Sequence, residues 1–190
     1  MNFKTDYNVD TDLLLRLTFN KAYLLMLKHN YDDAIHEFNC FINNVKESPY
    51  SSIIDVDTSY DCIGDIYLEQ ECFDKSLESY RKGLKARKKM AFPFNIGVSL
   101  YKIGSAYFKM QKNNIASRLL KNSALLIEKD GFSNHYQYVD CIIQLCKLKF
   151  ICHKSKEADF IYKRAYKNIT ELKFKNKLKK EYKDLLLHTI

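Results

Sequence analysis

Glycine and proline are scarce in this chain, at five and two of 190 residues. Sheets and sandwiches need many turns, and turns use these two residues heavily, so their scarcity favours long helices joined by short loops. No run of about 18 uncharged apolar residues occurs, which argues against a transmembrane span. The opening MNFKTDYNVDTD lacks the basic head and apolar core of a secretory signal. We therefore predict an all-α cytoplasmic protein that does not enter a membrane.

The motifs of common enzyme and metal sites are also missing. The chain has no G-x-S-x-G, Walker loop or G-x-G-x-x-G, and no C-x-x-C or H-E-x-x-H. Its six cysteines lack a disulfide-like spacing, and Cys141, Cys146 and Cys152 share one predicted helix without facing one way. We predict that all six thiols are reduced and that Cys141, Cys146 and Cys152 are buried and unreactive, and we predict no catalytic residue, no metal and no cofactor.

Charge is divided unevenly along the chain. Residues 1–80 hold 15 acidic and six basic side chains, whereas residues 81–190 hold eight and 25. In a linear array this division would create an acidic end and a basic end. Such ends could bring copies together head to tail, in contacts that salt would weaken.

Basic residues are concentrated in two runs of six. Solvated surface lysines are the simpler interpretation, and an acidic partner or a nucleic-acid backbone is the alternative. Only two of these twelve residues are arginine, so nucleic-acid binding would be unspecific. The first run, a candidate basic patch, comprises Arg81, Lys82, Lys85, Arg87, Lys88 and Lys89, and the second comprises Lys173, Lys175, Lys177, Lys179, Lys180 and Lys183.

The sequence repeats itself about every 40 residues. Small residues recur in steps of 42, 40 and 42, at Ala34, Ser76, Ala116 and Ala158. This period indicates stacked helix pairs, none of which can bury its apolar face alone. We expect one domain over 1–190, with repeats at about 10–46, 56–90, 94–128 and 135–170 and a cap at 172–188. Gly131 should end the third pair in a left-handed conformation.

The segments GDIYLEQECFDKSLESYRKGL (64–84) and GSAYFKMQKNNIASRLLKNSAL (104–125) resemble the tetratricopeptide repeat, or TPR. That family pairs a small residue with a large one three positions later, as Gly64 and Tyr67 do here, and an alanine-like residue with an aromatic, as Ser76 and Tyr80 do. The long period is similar to kinesin light chain-like arrays and to bacterial peptide-pheromone receptors of the Rap and PlcR type. The resemblance spans about residues 15–170. It implies a right-handed α-solenoid of about four helix pairs plus a C-terminal capping helix.

In that family the first helices of the pairs line a concave groove that holds a protein or peptide. Aromatic and charged side chains would suit such a surface, although the aromatics could instead pack against neighbouring helices. We expect central contacts from Tyr23, Asp61, Asp65, Tyr101 and Phe108. The complete set that the resemblance places in the groove is Arg16, Phe19, Tyr23, Asp61, Asp65, Glu69, Tyr101, Ser105, Phe108, Asp140 and Lys147.

The leading hypothesis is a non-catalytic adaptor or scaffold that binds a protein or peptide in this groove. A second is a truncated relative of the pheromone receptors, a sensor or regulator of a low-GC bacterium or phage. Because the chain begins almost directly in the array, its output domain would lie on another chain. A third is an unspecific binder of nucleic acid or acidic surfaces through the basic half.

Overall fold

A computed structural model of the protein describes residues 9–47, 53–89 and 92–187. These residues form helices and connecting turns without a strand, which confirms the all-α prediction. No helix among them is both long and apolar enough to cross a membrane. The helices are α1 (Val9–Leu27), α2 (Tyr31–Glu47), α3 (Ile53–Glu69), α4 (Phe73–Lys88), α5 (Pro93–Lys109), α6 (Asn113–Lys129), α7 (Tyr136–Ile151), α8 (Ser155–Asn168) and α9 (Leu172–Leu187).

The chain divides into two compact units, residues 1–86 and 87–190. The first unit contains α1 to α3 and nearly all of α4, and the second contains α5 to α9. Within the second unit α7 contacts α5 on one side and α9 on the other, α6 packs against α5 and α7, and α8 packs against α7 and α9. A single domain over the whole chain stays a prediction.

The same left-handed turn joins the two helices of every pair. In the third pair, Gln111 N donates to Phe108 O and Lys112 N donates to Tyr107 O, both at 2.9 Å. This Schellman-type arrangement satisfies carbonyls at the end of the first helix. Glycine usually supplies such a conformation, and Gly131, with φ 81°, does so as expected. The four residues at the pair turns have φ between 54° and 58° although none is glycine: His29, Glu71, Gln111 and His153.

A glycine or alanine lets the helices of the first three pairs approach closely, as the repeat pattern implies. A Cβ added at Gly64 would lie 2.5 Å from Tyr80 Cδ1, and one at Gly104 would lie 3.0 Å from Leu120 Cγ. The Tyr80 ring is fully buried, so it has little room to yield. Ala22 occupies the corresponding place in the first pair and is also fully buried.

Each unit has its own apolar core. In the first unit the fully buried Ala22, Ala34 and Phe38 join a cluster contributed by α1, α2 and α3. In the second unit a larger cluster draws on all five helices. There α9 covers the last pair, because Leu178 is fully buried and the Tyr182 ring stacks on Tyr162 with centroids 4.1 Å apart. The packing of each core fixes the orientation of its helices and therefore decides which of their faces point outward.

All six cysteines are free thiols, but they are not uniformly buried. Burial raises the pKa of Cys141 and of Cys146 to about 12, so these thiols are unreactive near neutral pH. Cys62 is also buried. Cys152 is exposed, so the prediction of burial is wrong for it, and Cys72 is exposed as well: both lie in the pair turns, where the chain leaves the core.

Candidate functional site

Five predicted groove residues lie on two adjacent helices of the second unit. Tyr101, Ser105 and Phe108 belong to α5, and Asp140 and Lys147 belong to α7. The Ser105 hydroxyl donates to Gln144 Oε1 across the two helices at 2.9 Å. All five side chains are intermediate in exposure. The structure therefore assembles these residues on one pair of neighbouring helices.

The capping helix completes this surface through two ion pairs. Lys177 Nζ lies 2.6 Å from Asp140 Oδ1, and Lys147 Nζ lies 3.7 Å from Glu181 Oε2. Each partner on α9 is more than thirty residues away in sequence from its counterpart on α7, so no local sequence pattern predicts these ion pairs. We call the surface formed by α5, α7 and α9 the ion-pair face.

The aromatic side chains of the ion-pair face are anchored in the core. Tyr101 and Phe108 are partly buried against the cluster of the second unit. Burial, and then the charge of Asp140, raises the pKa of Tyr101 to about 12. The alternative interpretation, in which these aromatics pack against neighbouring helices, therefore applies to part of each ring. The rest of each ring is accessible.

In the first unit, three predicted groove carboxylates of α3 lie against residues of the neighbouring helices α4 and α2. Asp61 is 5% exposed and lies beside Gly83 of α4, where an added Cβ would come within 3.0 Å of its Oδ1. Asp65 accepts a hydrogen bond from the Tyr80 hydroxyl at 2.6 Å. Glu69 accepts one from the Tyr31 hydroxyl. Burial and the neighbouring Asp65 raise the pKa of Tyr80, so this donor stays protonated.

The three predicted residues of α1 have different environments. Phe19 is partly buried and makes edge-on contacts with Phe38 and Phe41, with ring centroids 5.8 and 5.5 Å apart. Arg16 and Tyr23 are exposed. Phe19 therefore serves the core, while Arg16 and Tyr23 stay accessible.

The candidate basic patch is interrupted by a buried arginine. Arg87 is 5% exposed, and its guanidinium donates to the Ser99 hydroxyl at 2.9 Å. Lys82 pairs with Glu78 at 2.7 Å. The other four members, Arg81, Lys85, Lys88 and Lys89, are exposed.

Sequence reasoning missed a cleft of about 420 Å³ between α6 and α8. Leu125 and Phe160, which are 51% and 69% exposed, lie on its two walls, and the buried Ile142 and Leu145 of α7 contribute to its lining. A signal was available, because Phe160 occupies the repeat position that is polar in the other pairs, at His36, Glu78 and Arg118.

Neither a protein-family model nor a curated protein matches this sequence. Several solved structures do match. BtubC (BKLC) from P. vanneervenii is 11% identical with a TM-score of 0.73, covering 96% of this chain and 81% of that one. The apo form of RapI is 14% identical with a TM-score of 0.75; the match covers 92% of this chain, which spans about half of RapI (51%).

A third match is a putative kinesin light chain from Podosopora anserina with nearly identical TPR-like repeats. It is 12% identical with a TM-score of 0.69, covering 90% of this chain and 84% of that one. At such low identities the likeness concerns the fold and not the activity. The resemblance seen in the sequence is confirmed at that level: this chain has the fold of an all-α TPR-like repeat solenoid.

Proposed function

We propose that this protein is a non-catalytic scaffold that binds a segment of a partner protein on the ion-pair face. The observation that carries the proposal is the composition of that face: partly accessible Tyr101 and Phe108 lie beside charges of both signs on adjacent helices. Aromatic anchors flanked by charged groups are typical of surfaces that bind proteins.

The ion pairs of this face can be exchanged for contacts with a partner. The side chains of Asp140 and Lys177 are 30% and 44% exposed, and those of Lys147 and Glu181 are both 39% exposed. Ion pairs in such settings contribute roughly 0–1 kcal/mol each, so a bound segment could replace them at little cost. Because helices satisfy their own backbone groups, recognition would depend on side chains and not on strand addition.

Two residues of the first unit that were predicted to line the groove are not proposed as contacts. Asp61 and Asp65 are engaged between α3 and α4, so we give them no direct role. Tyr23 is accessible and stays a predicted contact. We further propose a cytoplasmic location, where six free thiols would remain reduced. The pheromone-receptor and nucleic-acid alternatives stay hypotheses.

Photo-crosslinking in the source cells tests the proposal by position. A p-benzoylphenylalanine would replace Ser105 on the ion-pair face, Leu125 in the cleft, or the exposed Lys163 on α8. We expect an adduct of defined mass from position 105 and none from position 163. An adduct from the cleft alone, or none from the ion-pair face, would refute the assignment.

A matched pair of charge reversals tests the same face. Asp140→Lys and Asp159→Lys each break an ion pair of 2.6 Å, with Lys177 and Lys163 respectively, but only the first lies on the ion-pair face. We expect Asp140→Lys to abolish the adduct from position 105 and Asp159→Lys to leave it. Binding of nucleic acid would instead be strengthened by either added positive charge and would weaken steeply with salt.

A further inference from the structure

An apolar stripe on the outward face of α1 lacks a covering element in the described part of the chain. Leu13, Leu17, Leu24 and Leu27 are each between 52% and 57% exposed. Together with the exposed Asn20 they follow steps of four, three, four and three residues, which is the spacing of a coiled-coil seam. The opposite face of the helix packs inward through the fully buried Ala22.

The repeat positions of Leu17 and Leu24, in the middle of the stripe, are buried in later helix pairs. Leu17 corresponds to Ser59 of α3 and Cys141 of α7, both fully buried, and Leu24 corresponds to Ile66 and Leu148, both 1% exposed. In the second unit the reason is visible, because the Cys141 thiol donates to Leu120 O of the preceding helix α6 at 3.1 Å. The middle of the stripe, around Leu17 and Leu24, is therefore a face of the kind that the repeat covers with another helix.

We propose that two copies of this chain pair through the stripe, with their α1 helices antiparallel about a two-fold axis at Asn20. This inference is independent of the proposed scaffold function. The stripe is nearly palindromic, since reversing it places Leu13 opposite Leu27 and Leu17 opposite Leu24 of the second copy. Such self-complementarity is what an isologous dimer interface requires.

A polar residue at the centre suits this pairing. Asn20 would meet Asn20 of the second copy, and an asparagine in an apolar seam sets register at a cost in affinity. Register matters here because a shift by one heptad would leave leucines of both copies uncovered.

The flanking charges favour the antiparallel arrangement. Parallel helices would place Arg16 beside Lys21 of the second copy, two like charges on the edge of the seam. Antiparallel helices place Arg16 beside Tyr23 instead, where a cation can lie on an aromatic ring. Lys21 would meet its own counterpart, but it is already paired with Glu37 at 2.6 Å in each copy.

The size of the stripe predicts a weak dimer. Leu13 to Leu27 spans about 21 Å along a helix roughly 10 Å wide. This footprint is smaller than the roughly 800 Å² per partner that a standard stable interface buries. We therefore expect a dissociation constant on the order of 1–100 µM and not a permanent dimer.

Sedimentation velocity on the full chain from about 1 to 300 µM tests the pairing, over the concentration range that a micromolar constant requires. We expect a monomer–dimer equilibrium that persists in 0.5 M NaCl, unlike head-to-tail association of the acidic and basic halves. The variant Leu17→Glu/Leu24→Glu should stay monomeric with an unchanged circular dichroism spectrum. The matched control Leu125→Glu/Phe160→Glu changes two comparably exposed apolar residues elsewhere and should dimerise normally.

Cysteine crosslinking tests the orientation. In a background lacking the exposed thiols, a mixture of Leu13→Cys and Leu27→Cys chains should form a mixed disulfide, and neither variant alone should do so. Asn20→Leu should tighten dimerisation at least tenfold. A wild-type chain that stays monomeric at every concentration, equal loss of dimer in the control, or crosslinking by Leu13→Cys alone would overturn the proposal.

Discussion

Replacing Gly64 with alanine would test how closely α3 and α4 must approach. The added Cβ would lie 2.5 Å from Tyr80 Cδ1, well inside the 3.5–4.0 Å at which carbon atoms normally meet. The ring is fully buried and its hydroxyl is tied to Asp65 at 2.6 Å. It must therefore move by about 1 Å or turn away.

The magnitude follows from three contributions to the free energy of unfolding. Alanine gains about 1 kcal/mol of helix propensity over glycine. Overpacking costs about 1–3 kcal/mol, and a displaced ring would also lose a hydrogen bond to a carboxylate, at about 1.5–3 kcal/mol. We expect Gly64→Ala to lower the free energy of unfolding by about 1.5–5 kcal/mol net.

Gly104→Ala is the matched control, because its Cβ would lie 3.0 Å from Leu120 Cγ, a milder overlap than the 2.5 Å between a Cβ at Gly64 and Tyr80 Cδ1. This variant should lie within about 1 kcal/mol of wild type. Urea unfolding followed by circular dichroism at 222 nm measures both. In a double-mutant cycle, Tyr80→Leu should relieve at least about 1 kcal/mol of the Gly64→Ala cost. A Gly64→Ala variant as stable as wild type, or strict additivity with Tyr80→Leu, would show that the close approach does not constrain this position.

Three further outcomes are expected. Glu71→Gly should raise the free energy of unfolding by about 0.5–1 kcal/mol in urea titrations, because φ at this position is 58°; a loss of stability would contradict the left-handed turn. Tyr101 should ionise near pH 12, so its contribution to stability is complete below pH 10 and disappears as pH rises towards 12. Absorbance at 295 nm follows this titration, and Tyr101→Phe should remove one late-ionising group. With a thiol reagent at pH 8, Cys72 and Cys152 should react fast and the buried thiols only after unfolding; slow reaction of Cys152 would contradict its exposure.

Much of the fold was predictable because the contacts that build it are close in sequence. Gly64 meets Tyr80 within one helix pair, so the residue types and their spacing are both visible in a single repeat. The non-glycine turns were not predictable in the same way. Glu71 and its equivalents adopt positive φ because the packing of the helices on either side determines the turn. Their side chains give no signal of this conformation.

The sequence predicted which helices carry the residues of the candidate site, but not how buried each side chain is or what it contacts. Repeat phase and family resemblance placed Tyr101, Asp140 and Lys147 together, and the structure shows them on neighbouring helices. It also shows that α9 supplies an ion-pair partner to two of them. Asp61 matched the same pattern, yet it is buried beside Gly83, because helix packing decides which polar side chains remain accessible.

The sequence by itself determined the helical class, the repeat and the small residues at close approaches, since these follow from composition and from contacts within a pair. Only the tertiary structure decided exposure. Leu17 of α1 and Cys141 of α7 occupy the same repeat position, but α6 covers Cys141 and no described element covers Leu17. Amphipathic spacing shows which face of a helix is apolar; what lies against that face depends on the arrangement of the other helices.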